Sequence, residues 1–277
     1  TYIVATVGTS LLSSMRRELQ LASKALPHKA AALDFLGSLA ATDRACGAEV
    51  NSLAHLLAGQ KVTSGSVEPP AEVTLLVSDT EEGEWTGSVL ASYLSRRPEV
   101  EQARALAIEG LRGDDPSSFS QQGLRNLVRL AAQCLSDAQK RAPGAVRLLD
   151  TTGGYKAQVA FAGLIGQVLR VPVVYLFEQF PRCIELPPLP VDFDRSLWIE
   201  HYGLFRLLSE EGYLAVEDVE LSDVDPRIRD LLDRERIDGV EYLALSPMLE
   251  LMHQGFSHTE PVGLEEPPRT EVPYESW

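Results

Sequence analysis

A chain of 277 residues with 44% hydrophobic content can bury a full core and has room for about two domains. No uninterrupted apolar run reaches the ~18 to 20 residues of a membrane-spanning helix, and the apolar run at 2–7 is too short for a signal-peptide core, so the expected location is cytoplasmic with no membrane partner. The formal charge of −15 argues against duplex DNA, yet it is uneven: residues 196–277 carry 19 of the 40 acidic and 6 of the 25 basic residues, a net of −13, leaving −2 for residues 1–195.

In chain order, β-rich runs are expected at 2–7, 72–77, 103–108, 146–150 and 171–177, separated by stretches with helical spacing. Near-continuous apolar runs such as Val73-Thr74-Leu75-Leu76-Val77 suit strands covered on both faces, as in a parallel sheet. Helices are expected near 14–25, over 31–57 after the first strand, at 84–94 after the second, at 117–140 after the third with Ser117 or Ser118 as cap, and at 159–169 after the fourth. The segment 59–70 reads as a loop. Pro181, Pro187, Pro188 and Pro190 rule out a regular helix or a central strand over 181–194 and mark a domain boundary. Beyond it, 196–212, 225–235 and 247–253 look helical and 240–245 a short strand, an order similar to a winged helix-turn-helix. The expected organisation is α/β: a Rossmann-like, mainly parallel domain over 1–190, a winged-helix-like domain over 191–257, and an arm or linker over 258–277. Cys46, Cys134 and Cys183 form no CxxC pair, which indicates neither a disulfide framework nor a zinc knuckle. The five histidines have no ligand spacing, so neither a metal nor a cofactor is expected.

Open parallel sheets hold ligands at the carboxyl ends of their strands, where loops offer backbone N–H groups and helix N-termini. Three motifs fall there. Val7-Gly8-Thr9-Ser10-Leu11-Leu12 combines a glycine that lets a ligand approach with two hydroxyls suited to phosphate or ribose oxygens; an ordinary helix cap at Ser10 is the alternative. Ser78-Asp79-Thr80-Glu81-Glu82-Gly83 has the same character, although its residue order is also that of a capping box. Asp150-Thr151-Thr152-Gly153-Gly154-Tyr155-Lys156 is the most specific. Paired glycines expose consecutive N–H groups, and a lysine in the first helical turn, where the macrodipole disfavours it, points to an anionic ligand rather than only a solvated side chain. It is neither a Walker A loop nor a dinucleotide fingerprint.

These motifs, together with Gly47-Ala48-Glu49-Val50-Asn51-Ser52-Leu53 and the run from Val173 to Asp194, resemble the CRISPR-associated Rossmann fold (CARF) domain of type III systems, in the subfamily that includes the ring nucleases. The resemblance covers residues 1–194 and implies a homodimer that binds a cyclic oligoadenylate, most often the four-membered ring, across its twofold axis. It implies catalytic roles for Ser10 and Lys156. Gly8, Thr9, Leu11, Ser78, Asp79, Thr80, Glu81, Thr151, Thr152, Gly153, Gly154 and Tyr155 would line the ligand, with Arg112 as a further phosphate clamp and Glu178 at a base edge.

Three functions are compatible with this reading. A ring nuclease would use the ribose 2′-hydroxyl as nucleophile without a metal and leave linear products ending in a 2′,3′-cyclic phosphate. A non-cleaving sensor would bind the ring and regulate an effector domain; no HEPN or PD-(D/E)xK block is recognisable, which favours the nuclease. A messenger-responsive transcription regulator would need a basic face, against which the acidic C-terminal third counts.

Overall fold

A computed structural model describes residues 1–177, 180–189 and 193–257. The first part runs β1 (Tyr2–Thr6), α1 (Ser10–Glu18), α2 (Lys29–Gly37), α3 (Ala48–Leu57), a small hairpin of β2 (Lys61–Val62) and β3 (Gly65–Ser66), β4 (Ala71–Ser78), α4 (Glu81–Leu94) and β5 (Val100–Ile108). It continues with α5 (Pro116–Ser118), α6 (Leu124–Arg141), β6 (Arg147–Asp150), α7 (Lys156–Val168), β7 (Val173–Tyr175) and β8 (Ile184–Leu186). The main sheet has the order β5-β4-β1-β6-β7-β8, parallel except for β8, which pairs antiparallel with β7. This is the expected Rossmann-like α/β sheet.

Strand alternation explains the layering. Ile3 and Ala5 of β1, Val73, Leu75 and Val77 of β4, and Leu148 of β6 face one side, where they pack with Leu11 and Met15 of α1, Leu36 of α2, Leu53 of α3 and Leu90 of α4. Val4, Leu76, Ile108, Leu149 and Val173 face the other, against Leu127, Val128, Ala131 and Leu135 of α6 and Ile165 of α7. Both faces are covered, so the strands read as continuous apolar runs rather than as alternating ones.

Several expected elements differ in the structure. The span 31–57 is broken between α2 and α3, with a 3₁₀ turn at Arg44–Cys46 capped by Asp43. The long helix expected over 117–140 starts as α5, passes through a π turn at Phe119–Gly123 and becomes α6; its cap is Asp115, whose Oδ1 accepts the N–H groups of Ser117 and Ser118, each at 3.1 Å. Gly123 lies against the backbone of Gly110 and Leu111, where a Cβ would sit 2.7 Å from each. The segment at 59–70 carries the β2–β3 hairpin, and the proline-rich stretch carries β8, at the sheet edge, where proline neighbours are tolerated.

The C-terminal unit contains α8 (Arg195–Glu200), α9 (Tyr202–Glu211), β9 (Leu214–Ala215), α10 (Pro226–Arg229), β10 (Leu232–Ile237), β11 (Val240–Leu245) and α11 (Pro247–Ser257), with sheet order β10-β11-β9. The helix expected over 225–235 is therefore corrected: only Pro226–Arg229 is helical, and Leu232–Ile237 forms a hairpin with β11. The cause is Asp238-Gly239, both at positive φ (51° and 88°), the two-residue turn whose twist matches paired strands. Helix α11 serves two cores: Leu251 packs with the α6 side of the main sheet, whereas Leu249, Met252 and Phe256 join Leu197, Trp198, Phe205, Leu208 and Leu243. The three cysteines are buried and free, and burial pushes the Cys46 and Cys183 thiols up to about 11 and about 12, which makes them poor nucleophiles. Among the described residues no helix is long and apolar enough to cross a membrane. The arm expected over 258–277 lies outside the described residues.

Candidate functional site at the sheet switch point

Chain direction across the sheet reverses between β1 and β6: the connection leaving β1 leads to β4 on one side, and that leaving β6 leads to β7 on the other. The loops after these two strands lead to opposite sides of the sheet, and their carboxyl ends mark the crevice position where such sheets take ligands. The two loops that bound it, residues 7–9 and 151–155, touch. A Cβ on Gly8 would lie 2.9 Å from the Gly154 nitrogen, so only glycine allows this approach. Thr6 Oγ1 donates to the Gly153 carbonyl at 2.5 Å and closes the underside.

Helix α3 fastens both loops, a role that sequence reasoning missed. Glu49, 1% exposed, accepts the Gly8 N–H on Oε1 at 2.8 Å and the Ser10 hydroxyl on Oε2 at 2.6 Å. One turn along, Ser52 meets the Thr152 hydroxyl at 2.9 Å. Ser10 Oγ in turn accepts the N–H of Ala48 at 3.0 Å. Glu49 and Ser52 are buried on α3 together with Val50, Leu53 and Leu56. The buried carboxylate is compensated by the Gly8 and Ser10 donors, and no local sequence signal marks it.

The flanking N–H groups of the glycine loop are used internally: Thr152 N donates to Asp150 Oδ1 at 3.0 Å and Tyr155 N to Gln158 Oε1 at 3.1 Å. Between them, the N–H groups of Gly153 and Gly154 have no acceptor among the described residues. They lie just before the N-terminus of α7, and the Lys156 side chain is exposed beside them. Pairs of N–H groups at a helix start, next to a cation, can cradle an anion; here Gly153 is buried and Gly154 half-buried.

The other expected residues divide into two groups. Thr9 is exposed at the crevice, and Ser10 is half-buried. Tyr155 is 38% exposed and packs edge-on against Phe119, with centroids 5.2 Å apart. The loop after β5 reaches the same ring, because a Cβ on Gly113 would sit 3.1 Å from the Tyr155 hydroxyl. Arg112 on that loop is exposed and forms a two-pronged pair with Asp114 at 3.2 and 3.1 Å, so a ligand anion would compete with that carboxylate. Several side chains instead face inward. Leu11 is fully buried in the core, and the Thr151 hydroxyl contacts the Val174 carbonyl at 3.3 Å. The Thr152 hydroxyl is spent on Asp150 at 2.6 Å, on Ser52, and on accepting the Leu176 N–H at 2.9 Å. Leu11, Thr151 and Thr152 therefore shape the loops from beneath rather than presenting side chains to the crevice. In the third motif Thr80 caps α4, accepting the Gly83 N–H at 3.0 Å and meeting Ser78 at 2.9 Å, while Asp79 accepts the Gly110 N–H at 3.2 Å. Glu81 is exposed on the first turn of α4. Glu178 lies outside the described residues. Among the described residues no group of three or more His, Cys, Asp and Glu is placed to hold a metal ion.

Asp150, at the end of β6, is the most perturbed acid of the site. Burial raises its carboxyl to about 6 against the partial relief of the Thr152 and Ser52 hydrogen bonds, and its Oδ2 has no partner. A carboxyl raised on folding favours the protonated fold, so its contribution to stability is fully present below the unfolded value of 3.8 and is lost as pH rises through about 6. The span corresponds to about 3 kcal/mol. Denaturant unfolding between pH 4 and 7 is expected to show this decline in the native chain and a flatter profile in Asp150→Asn; identical profiles would assign the slope elsewhere.

Residues 44–189, more than half of the chain, match the family model described as CRISPR-associated protein (Cas_APE2256). A comparison with curated protein sequences gives no match. Among solved structures, the chain is similar to Can2 from Sulfobacillus thermosulfidooxidans in complex with cyclic tetra-adenylate, at 12% sequence identity and a TM-score of 0.32. That alignment covers 93% of this chain and 63% of that one, so the present chain spans less than two thirds of that neighbour's length.

Proposed function

Since the chain belongs to the Cas_APE2256 family of CRISPR-associated proteins, we propose that the crevice between β1 and β6 binds a cyclic oligoadenylate, foremost cyclic tetra-adenylate, and cleaves it. The observation that carries the reading is the pair of unclaimed N–H groups at Gly153 and Gly154 beside the exposed Lys156, on the loop that Gly8 brings against the first motif. A phosphodiester bound there would have its non-bridging oxygens held by those donors as charge develops in the transition state. RNA carries its own nucleophile, so the protein need only align the 2′-hydroxyl with the phosphate, and the products are linear adenylates with a 2′,3′-cyclic phosphate. A homodimer would offer two such cradles to a ring with matching symmetry.

Lys156→Ala tests the assignment. Because the side chain is exposed, the melting temperature should stay within about 2 °C. Cleavage of radiolabelled cyclic tetra-adenylate in EDTA should fall by about 100-fold or more. Undiminished cleavage would remove Lys156 from the mechanism.

A non-cleaving sensor is the second reading, in which the Ser10–Glu49 contact only fastens the first loop to α3. Under it, native protein in excess would bind the ring and leave it intact for hours. Residues 193–257, with helices followed by the β10–β11 hairpin, are read as a winged-helix-type unit whose acidic charge argues against duplex binding.

A further inference from the structure

Behind the first loop of the crevice a buried carboxylate is fronted by a single hydroxyl. Glu49 is enclosed: its Oε1 holds the Gly8 N–H, and a Cβ on Gly153 would overlap that same oxygen, so the route from the crevice to the carboxylate runs through Ser10. Ser10 Oγ donates to Glu49 Oε2 at 2.6 Å and accepts from the Ala48 N–H at 3.0 Å. A hydroxyl oxygen accepts two hydrogen bonds, which leaves one acceptor position on this half-buried group. Ser10 therefore has no proton to offer a phosphate while Glu49 is ionised. What it can do is take a hydrogen bond from a ligand hydroxyl and pass a proton inward.

We propose that Glu49 is the proton acceptor for ring cleavage, acting through Ser10 as a relay, an inference that rests on the cleaving reading above. The 2′-hydroxyl of the bound ribose donates to Ser10 Oγ. As O2′ attacks the adjacent phosphorus, the 2′ proton moves to Ser10 Oγ and the proton originally on Ser10 moves to Glu49 Oε2. The bond from phosphorus to the neighbouring O5′ breaks, and O5′ takes a proton from the Lys156 ammonium. The products are a 2′,3′-cyclic phosphate and a 5′-hydroxyl; Glu49 then returns its proton and Lys156 regains one through solvent, so the protein is unchanged. Glu49 never touches the ring and acts as a positioning and proton-holding residue behind Ser10. The charged group that faces it from another element is Asp150 on β6, whose carboxyl Glu49 further raises. Gly8, Ser10 and Gly153 bring no charge, and Lys156 stands on the first turn of α7.

The test is single-turnover cleavage of cyclic tetra-adenylate in EDTA across pH 4.5–9 by the full chain, with ring affinity measured in parallel. Glu49→Gln, which keeps the size and the acceptor for the Gly8 N–H, is expected to bind the ring within about threefold of the native chain and to cleave it about 100-fold or more slowly, in line with loss of a general base. The acid limb of the rate profile should disappear with it. Ser10→Ala should lose the same limb, and the double variant should be no slower than the slower single one, because the two residues form one relay. Glu49→Gln also removes the charge that helps raise Asp150, so a limb lost in that variant is assigned to the relay only when Ser10→Ala, which leaves both carboxyls in place, loses it too. If Glu49→Gln does not fold, Ser10→Ala alone decides, since an acid limb that persists without the relay oxygen overturns the proposal. A Glu49→Gln protein that cleaves with native rate and profile also overturns it while leaving ring cleavage standing. Native protein that binds the ring and never cuts it overturns both.

Discussion

Gly153→Ala is expected to abolish ring binding and to lower the unfolding free energy by about 1–3 kcal/mol, the usual cost of forcing an extra methyl into a packed site. Gly153 is not at a positive φ, so alanine is conformationally allowed there. The effect comes from Glu49. The new Cβ would overlap its Oε1 and lie 2.7 and 2.8 Å from its Cδ and Cγ, and the carboxylate cannot retreat without dropping the Gly8 N–H and the Ser10 hydroxyl. Either the glycine loop lifts away from the crevice or α3 withdraws, and each outcome separates the two loops that form the cradle. Denaturant unfolding of Gly153→Ala in a Glu49→Ala background isolates the cause: there the methyl has room, and the added cost should be below about 0.5 kcal/mol. An equal cost in both backgrounds would mean that the glycine is needed for a reason other than Glu49.

How much of this was legible in the sequence depends on the reach of each interaction. The strands of the main sheet were readable because burial on both faces writes itself as local apolar runs such as 73–77. The Gly153-Gly154-Tyr155-Lys156 loop was readable because a glycine pair directly before a helix has a backbone reason to be there. Glu49 was not, since its partners Gly8 and Ser10 lie 41 and 39 residues away and a glutamate in a helical pattern ordinarily faces water. Thr151 and Thr152 looked like ligand hydroxyls for the same reason: nothing local says that Ser52, 100 residues away, turns the second of them inward. The mistaken helix over 225–235 had a different origin. Leu232-Asp233-Arg234-Glu235-Arg236-Ile237 is charge-rich and helix-compatible by propensity, and the decisive signal, Asp238-Gly239, follows it.

The second large effect lies where the two cores meet. Arg129 on α6 faces Glu250 on α11 at 3.0 Å, with the glutamate side chain fully buried and the arginine 28% exposed. The Arg129 Nε–H is not aligned for a hydrogen bond, so the pair is mainly ionic, and Gln254 adds a bond to the Glu250 Oε1 at 2.7 Å. Arg129→Met would leave a carboxylate in the interior with one neutral donor. The expected loss is about 3–5 kcal/mol, as for other buried pairs broken on one side. Since α11 carries Leu251 into one core and Leu249, Met252 and Phe256 into the other, the loss should loosen the C-terminal unit before the main sheet melts, splitting the denaturant transition in two. Removing both charges in Arg129→Met with Glu250→Leu eliminates the unpaired carboxylate and should recover most of the stability, because the desolvation cost of the pair disappears along with its attraction. A single variant that unfolds in one transition with a loss below about 1 kcal/mol would show that Glu250 is accommodated by Gln254 and solvent rather than by Arg129.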